Sequence, residues 1–265
     1  MQRMFSLLLL TVLGVYGAAC LALYVLQGSF IYYPPMTPMF PAPRTSTLAV
    51  PGAELKVSER PLAGARALVY LGGNGEDVSA SLPLLNAAFP EHALYLLHYR
   101  GYLGSTGTPS EASNVADALA LFDRVAAEHG EIVVIGRSLG SGIAVQVASQ
   151  RPVARLVLVT PYDSLQELAA KQFPYFPVRW LLRDKYESWR YAPRVTAPTL
   201  LLMAEHDTII PARSTEQLLS RFPRGVATMT VIRGTGHNTI SDAAAYVPAL
   251  QTAGVRSDTR TRPQP

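Results

Sequence analysis

Ile132-Val133-Val134-Ile135-Gly136-Arg137-Ser138-Leu139-Gly140 is the stretch on which the reading of the fold turns. Four apolar residues make a short buried strand, and the Gly-x-Ser-x-Gly behind it is the pattern of a sharp strand-to-helix turn with a serine at its apex. A serine so placed takes a strained backbone conformation, and small residues two positions away on each side let strand and helix approach closely. The turn lifts the hydroxyl out at the edge of a sheet, where the N-terminus of the following helix supplies partial positive charge. Five residues match by chance often enough; their position directly after an apolar strand gives the match its meaning.

Similar runs lie on both sides. Residues 67–71, 93–98, 156–159, 199–203 and 227–232 are short and nearly all apolar, as parallel strands covered on both faces must be. Between them, 78–88, 111–128, 139–149, 212–221 and 240–251 predict helices, the second opening after Thr108-Pro109-Ser110, which suits a cap. Alternation of this kind predicts an α/β fold, a mostly parallel sheet with helices on both faces. Right-handed crossovers then bring the C-terminal ends of the strands to one edge, where sites form in such sheets. Residues 161–191 break the alternation with an aromatic and proline-rich run, Phe173-Pro174-Tyr175-Phe176-Pro177, and predict a small cap over the site.

A serine hydroxyl is a weak nucleophile without a base, so a histidine oriented by a carboxylate is expected downstream, in the order serine, acid, histidine. Of five histidines, His92, His98 and His129 precede or lie away from that position, and His206 adjoins the acid candidates. His237, in Gly234-Thr235-Gly236-His237-Asn238, follows the last strand and is the candidate base. Glu205 and Asp207 both follow the strand at 199–203; Asp207 lies farther into its loop and is the candidate acid. The negative charge that develops in acyl transfer needs two backbone donors. Leu139, the residue after the serine, is one, and Leu71-Gly72-Gly73-Asn74-Gly75 offers the other, assigned to Gly73 with Asn74 as runner-up. Arg137 is read as a brace for the turn, since the planar guanidinium commonly serves that purpose. No phosphate-loop Gly-Lys-Ser/Thr and no Cys/His spacing of zinc type is present, so no cofactor and no metal are expected.

The 265 residues suffice for one sizeable domain, and with 49% hydrophobic and 16% charged residues the chain is neither disordered nor a nucleic-acid binder. Its net charge of +4 is scattered, apart from Arg256, Arg260 and Arg262 in a polar tail read as disordered. One cysteine, Cys20, leaves the redox compartment open. No charged side chain lies between Arg3 and Arg44, and within that window residues 5–26 are long and apolar enough to cross a bilayer as a helix. A cleaved signal, a lipoprotein signal ending at Cys20 and a buried helix are the alternatives. Residues 27–47, with five prolines between Pro34 and Pro43, predict a stiff linker; 48–251 the catalytic domain; and 252–265 the tail. Arg3 and the free amino group ahead of the helix favour a single-pass protein with its catalytic domain on the non-cytoplasmic side.

Tyr99-Arg100-Gly101-Tyr102, with Ser105 and Gly107 following, resembles a stretch of the membrane-anchored α/β-hydrolase-domain serine hydrolases, which are similar to serine aminopeptidases and prolyl-oligopeptidase catalytic domains. The three blocks around Ser138, Asp207 and His237 match that family as well, and Gln27-Gly28-Ser29-Phe30-Ile31-Tyr32-Tyr33-Pro34 resembles its post-anchor segment. The chain departs from it in having Leu71-Gly72 where the family has His-Gly, and His98 where it often has Asp. The resemblance implies the α/β-hydrolase fold and hydrolysis through a serine triad. The expected substrate is an acyl ester or thioester, with a peptide as the alternative. A catalytically silent, membrane-bound interaction module is the reading from another class.

Overall fold

A computed structural model describes residues 1–35, 37 and 44–254. Their sheet runs in the order β1-β2-β4-β3-β5-β6-β7-β8. Strands β3 (Arg66–Leu71), β4 (Ala93–Leu97), β5 (Glu131–Arg137), β6 (Arg155–Val159), β7 (Thr199–Ala204) and β8 (Ala227–Ile232) are mutually parallel. Each of the six overlaps a predicted apolar run. At one edge β1 (Thr45–Val50) and β2 (Ala53–Arg60) add an antiparallel hairpin, with β2 antiparallel to β4. This is the α/β-hydrolase fold that the sequence predicts.

Two apolar layers sandwich the sheet because alternate residues of each parallel strand face opposite sides. Val69, Leu71, Val134 and Leu158 face one layer, with α3 (Glu111–Ala126) and α4 (Leu139–Ala148). Leu68, Tyr70, Val133 and Ile135 face the other, with α2 (Leu82–Ala88) and α9 (Tyr246–Gly254). Helix α3 starts where Ser110 caps it: the Ser113 N–H donates to Ser110 Oγ at 3.1 Å and Ser113 Oγ accepts from the Ser110 N–H at 2.9 Å. Two predicted helices are each split. Residues 78–88 begin with a 3₁₀ turn, Val78–Ser81, before α2, and 240–251 become a 3₁₀ turn, Ile240–Asp242, followed by α9.

The N-terminal helix α1 (Gln2–Ile31) is longer than the predicted 5–26. It takes in the first five residues of the predicted linker, because nothing between Gln27 and Ile31 breaks a helix; Pro34 and Pro35 do. Its most apolar part has a mean hydropathy of 2.2 and is not buried. At the other end of the linker, residues 45–47 belong to β1, while residues 36 and 38–43 lie outside the described residues. Residues 252–254 of the predicted tail are the last turn of α9, and 255–265 are likewise outside the described residues. The segment 161–191 folds as three short helices, α5 (Leu165–Gln172), α6 (Val178–Leu181) and α7 (Ser188–Tyr191); helix α8 (Ala212–Leu219) follows β7.

Candidate active site

Ser138 stands at the top of β5 with φ 48° and ψ −116°, a backbone conformation that an L-residue adopts only under constraint. The constraint is visible around it. A Cβ on Gly140 would lie 2.1 Å from the Leu71 carbonyl oxygen, and one on Gly136 would lie 2.4 Å from the Gly140 carbonyl oxygen. Both contacts are with backbone, so the two flanking positions have room for hydrogen alone.

The loops after β7 and β8 bring Asp207 and His237 to the serine. His237 Nδ1 is 2.8 Å from Asp207 Oδ2, and His237 Nε2 is 2.9 Å from Ser138 Oγ. Both side chains are almost fully buried. Asp207 Oδ1 accepts from the Ile209 and Ile210 N–H groups at 2.9 and 2.7 Å, which fixes the carboxylate in the loop. Burial alone would push that carboxyl upward; the His237 hydrogen bond and the two amides outweigh it and hold its pKa below the ordinary value. Glu205 points elsewhere: its Oε2 accepts from the Gly234 N–H at 2.8 Å and so steadies the loop that carries His237. His92, His98 and His129 are buried away from the serine, and His206 is exposed beside Glu205. His129 bridges Tyr95 Oη and the Gly64 carbonyl, and His98 bonds Ser58 Oγ.

The assignment of an oxyanion donor to Gly73 needs correction. The Gly73 N–H donates to Glu76 Oε2 at 2.7 Å and is therefore engaged within its own turn. Asn74, the runner-up, lines the cavity beside Ser138 and Leu139. Its side chain is fixed from behind, Oδ1 accepting from the Tyr33 N–H at 2.9 Å and from Tyr102 Oη at 3.0 Å. Tyr99 Oη donates to the Gly72 carbonyl at 2.8 Å, so the Tyr99-Arg100-Gly101-Tyr102 run holds the turn that faces the serine. Glu76 joins the parts. Besides the Gly73 N–H, its carboxylate accepts from Tyr70 Oη at 2.6 Å, Ser81 Oγ at 2.8 Å and the Arg137 guanidinium at 3.2 Å. Through Glu76, Arg137 ties the serine turn to the Gly72-Gly73-Asn74 turn, the bracing role read for it from the sequence. Glu76 was not singled out by the sequence; the available signal was an acid three residues beyond a Gly-Gly turn, the spacing at which a carboxylate reaches back to a backbone N–H.

Above Ser138 lies a cavity of about 440 Å³. The cap contributes Leu165, Phe173 and Phe176, the Asp207 loop Ile209 and Ile210, and α1 a whole wall of Leu23, Gln27, Phe30 and Ile31. No charged side chain lines it among the described residues. Nor do those residues bring together three or more His, Cys, Asp or Glu side chains able to hold a metal.

A strained serine after the central strand, a carboxylate after the penultimate strand and a histidine after the last define an α/β-hydrolase-fold domain with a serine triad's geometry. Residues 66–185 match the family model described as α/β hydrolase fold. An uncharacterized protein of Mycobacterium tuberculosis is 37% identical over 180 residues, 65% of this chain and 63% of that protein. The lysophosphatidylserine lipase ABHD12 of Macaca fascicularis is 30% identical over 188 residues, 61% of this chain and 47% of that protein. The chain thus spans about half to under two thirds of the length of these curated relatives. Among solved structures, Est1E from Butyrivibrio proteoclasticus, determined with ferulic acid bound, superposes with a TM-score of 0.66 at 14% identity, over 78% of this chain and 96% of that one.

Proposed function

We propose that the chain is a serine hydrolase that cleaves carboxylic esters or thioesters through an acyl-Ser138 intermediate. The observation that carries this reading is the unbroken Asp207–His237–Ser138 hydrogen-bond relay at the floor of an apolar cavity. His237 Nε2 takes the Ser138 proton as Oγ attacks the carbonyl, and Asp207 holds the Nδ1 tautomer and stabilises the imidazolium. The oxyanion is received by the Asn74 and Leu139 N–H groups, with the N-terminus of α4 adding its dipole. His237 then returns the proton to the leaving alcohol or thiol, and a water, activated by the same imidazole, releases the acid.

An uncharged, aromatic and aliphatic cavity suits an acyl chain; a peptidase would need a charged group for the substrate terminus, and among the described residues the lining has none. A relative named as a lysophosphatidylserine lipase agrees with an acyl ester. We further assign 5–26 of α1 as a single membrane span with the catalytic domain outside the cytoplasm, supported by its uncharged length and by Arg3 ahead of it. The test is fluorophosphonate labelling of the parent and Ser138→Ala, followed by a panel of acyl esters, thioesters and aminoacyl amides. Labelling that survives the substitution, or turnover confined to the amides, would overturn the proposal.

A further inference from the structure

Helix α1 does not stand clear of the domain. The Tyr16 hydroxyl donates to the Tyr175 carbonyl at 2.8 Å, and the Tyr16 ring stacks on Phe176 with centroids 5.7 Å apart and planes 7° from parallel. Two turns on, the Arg183 guanidinium lies 5.2 Å over the Tyr24 ring. Gln27 then clamps the cap with both ends of its amide, Nε2 donating to the Leu181 carbonyl at 3.1 Å and Oε1 accepting from the Arg183 N–H at 2.7 Å. The second half of α1 therefore runs along the cap edge formed by residues 173–183.

Depth along the helix follows from its rise. A hydrocarbon core of about 30 Å takes about 20 helical residues at about 1.5 Å each. Even a span starting as early as Gln2 ends near Leu21, which leaves Tyr16 about 7 Å inside the boundary, and the assigned 5–26 puts the boundary nearer Leu26 and Tyr16 deeper still. Tilt lengthens the segment needed and pushes Tyr16 deeper. The turn that touches Tyr16 has to meet lipid at the same level. Its side chains suit that position: Tyr175 is 85% exposed and Trp180 is 88% exposed, with Phe173 also uncovered. Tyrosine and tryptophan favour the boundary between acyl chains and headgroups, and the same edge carries Arg183, over the Tyr24 ring, and Arg179, paired with Glu167.

We propose that the cap edge around Tyr175 and Trp180 is a second membrane contact, seated in the bilayer leaflet from which α1 emerges. This rests on the reading of α1 as a membrane span. The catalytic cavity, walled by Leu23 and Phe30 of α1 and by Phe173 and Phe176 of the same edge, then opens at the bilayer. An acyl chain reaches Ser138 from the leaflet without crossing bulk water.

The chain has two tryptophans, and the Trp189 ring lies 5.0 Å from the Arg190 guanidinium and 5.7 Å from that of Arg221. In the full-length Trp189→Phe protein, Trp180 is the sole reporter. It is reconstituted into phosphatidylcholine vesicles carrying 10% phosphatidylglycerol (roughly the anionic fraction that gives a usable surface charge), with bromine on the acyl chains. Trp180 emission is expected to be quenched by the brominated lipid and several-fold less quenched by aqueous iodide than free tryptophan. Iodide quenching like that of free tryptophan, with no bromolipid effect, in protein that resists alkaline carbonate extraction, overturns the cap contact and leaves the span intact. Release by carbonate overturns the span itself, and the proposal with it. If Trp189→Phe does not fold, the difference between the parent and Trp180→Phe gives the same readout. Tyr175→Lys with Trp180→Lys should keep the parent's rate on a water-soluble short-chain ester and lose about tenfold on an ester embedded in the bilayer, the loss of roughly 1.4 kcal/mol of apolar anchoring; equal rates on both overturn it.

Discussion

Glu76 offers the sharpest test of how the oxyanion turn is held. Its carboxylate is nearly buried and accepts four hydrogen bonds, from Gly73, Tyr70, Ser81 and Arg137. Replacing it with alanine strands these donors. Tyr70 Oη and the Gly73 N–H lie inside, each leaving a penalty of about 1–3 kcal/mol, while Ser81 and the partly exposed Arg137 recover water and lose less. The sum, about 3–5 kcal/mol, is comparable with breaking a buried ion pair. Glutamine is milder, because its oxygen can face Gly73 and Arg137 while the two hydroxyls turn to accept from its NH₂; a loss of about 1–2 kcal/mol is expected. The kinetic consequence should follow the turn. A freed Gly73–Asn74 segment no longer aims the Asn74 N–H, and one misplaced oxyanion donor lowers kcat by about 10²-fold, or about 2.7 kcal/mol. KM should hardly move, since Glu76 does not line the cavity. The assay is steady-state hydrolysis of a soluble activated ester, with urea midpoints for the parent and both variants. Glutamine should recover most of kcat. A folded Glu76→Ala protein with the parent's kcat, or one whose loss lies in KM, refutes the reasoning.

Asp207→Asn should keep the fold and lower kcat by about 10⁴-fold, by analogy with the serine-protease triad, whereas Glu205→Gln should have a much smaller effect; the reverse order would exchange the two acids. Because the folded protein holds the Asp207 carboxyl below its ordinary value, its stabilising contribution is present above about pH 4 and lost as pH falls through the lowered value. The gap in urea midpoint between the parent and Asp207→Asn should therefore narrow on acidification, and a gap that widens contradicts the assignment. Gly140→Ala places a methyl 2.1 Å from the Leu71 carbonyl oxygen, where the neighbour is backbone and cannot swing away. It should cost about 3 kcal/mol or more in urea denaturation, at the upper end for overpacking; parental stability would show that the turn yields.

Strands β3 to β7 were legible because each is covered on both faces and reads as an almost unbroken apolar run, while β8, at the edge and largely uncovered, still showed Met229, Val231 and Ile232. The hairpin was not. β1 alternates half-buried and exposed residues, and β2 carries Glu54, Lys56, Glu59 and Arg60, so neither presents such a run. That Ser138, Asp207 and His237 could meet was legible from position, each following a strand, and the structure brings the three within hydrogen-bond distance. Choosing between Gly73 and Asn74 required knowing which N–H was already engaged, and that depended on the rotamer of Glu76, three residues away. Likewise α1 could be recognised by its missing charges, but its part in the cavity wall depends on contacts with residues more than 150 positions later in the chain.

That separation orders events during synthesis. The bonds from α1 and its exit to the cap, at Tyr16, Gln27 and Tyr32, join residues 152–159 apart. Chains grow at about 5–20 residues per second, so one wall of the cavity exists for roughly 8–30 seconds before the segment that closes on it has been made. The cap is therefore assembled against a helix already in place. Tyr32, which bonds both Asp184 and Tyr186, joins the exit of that helix to a segment made 152–154 residues later.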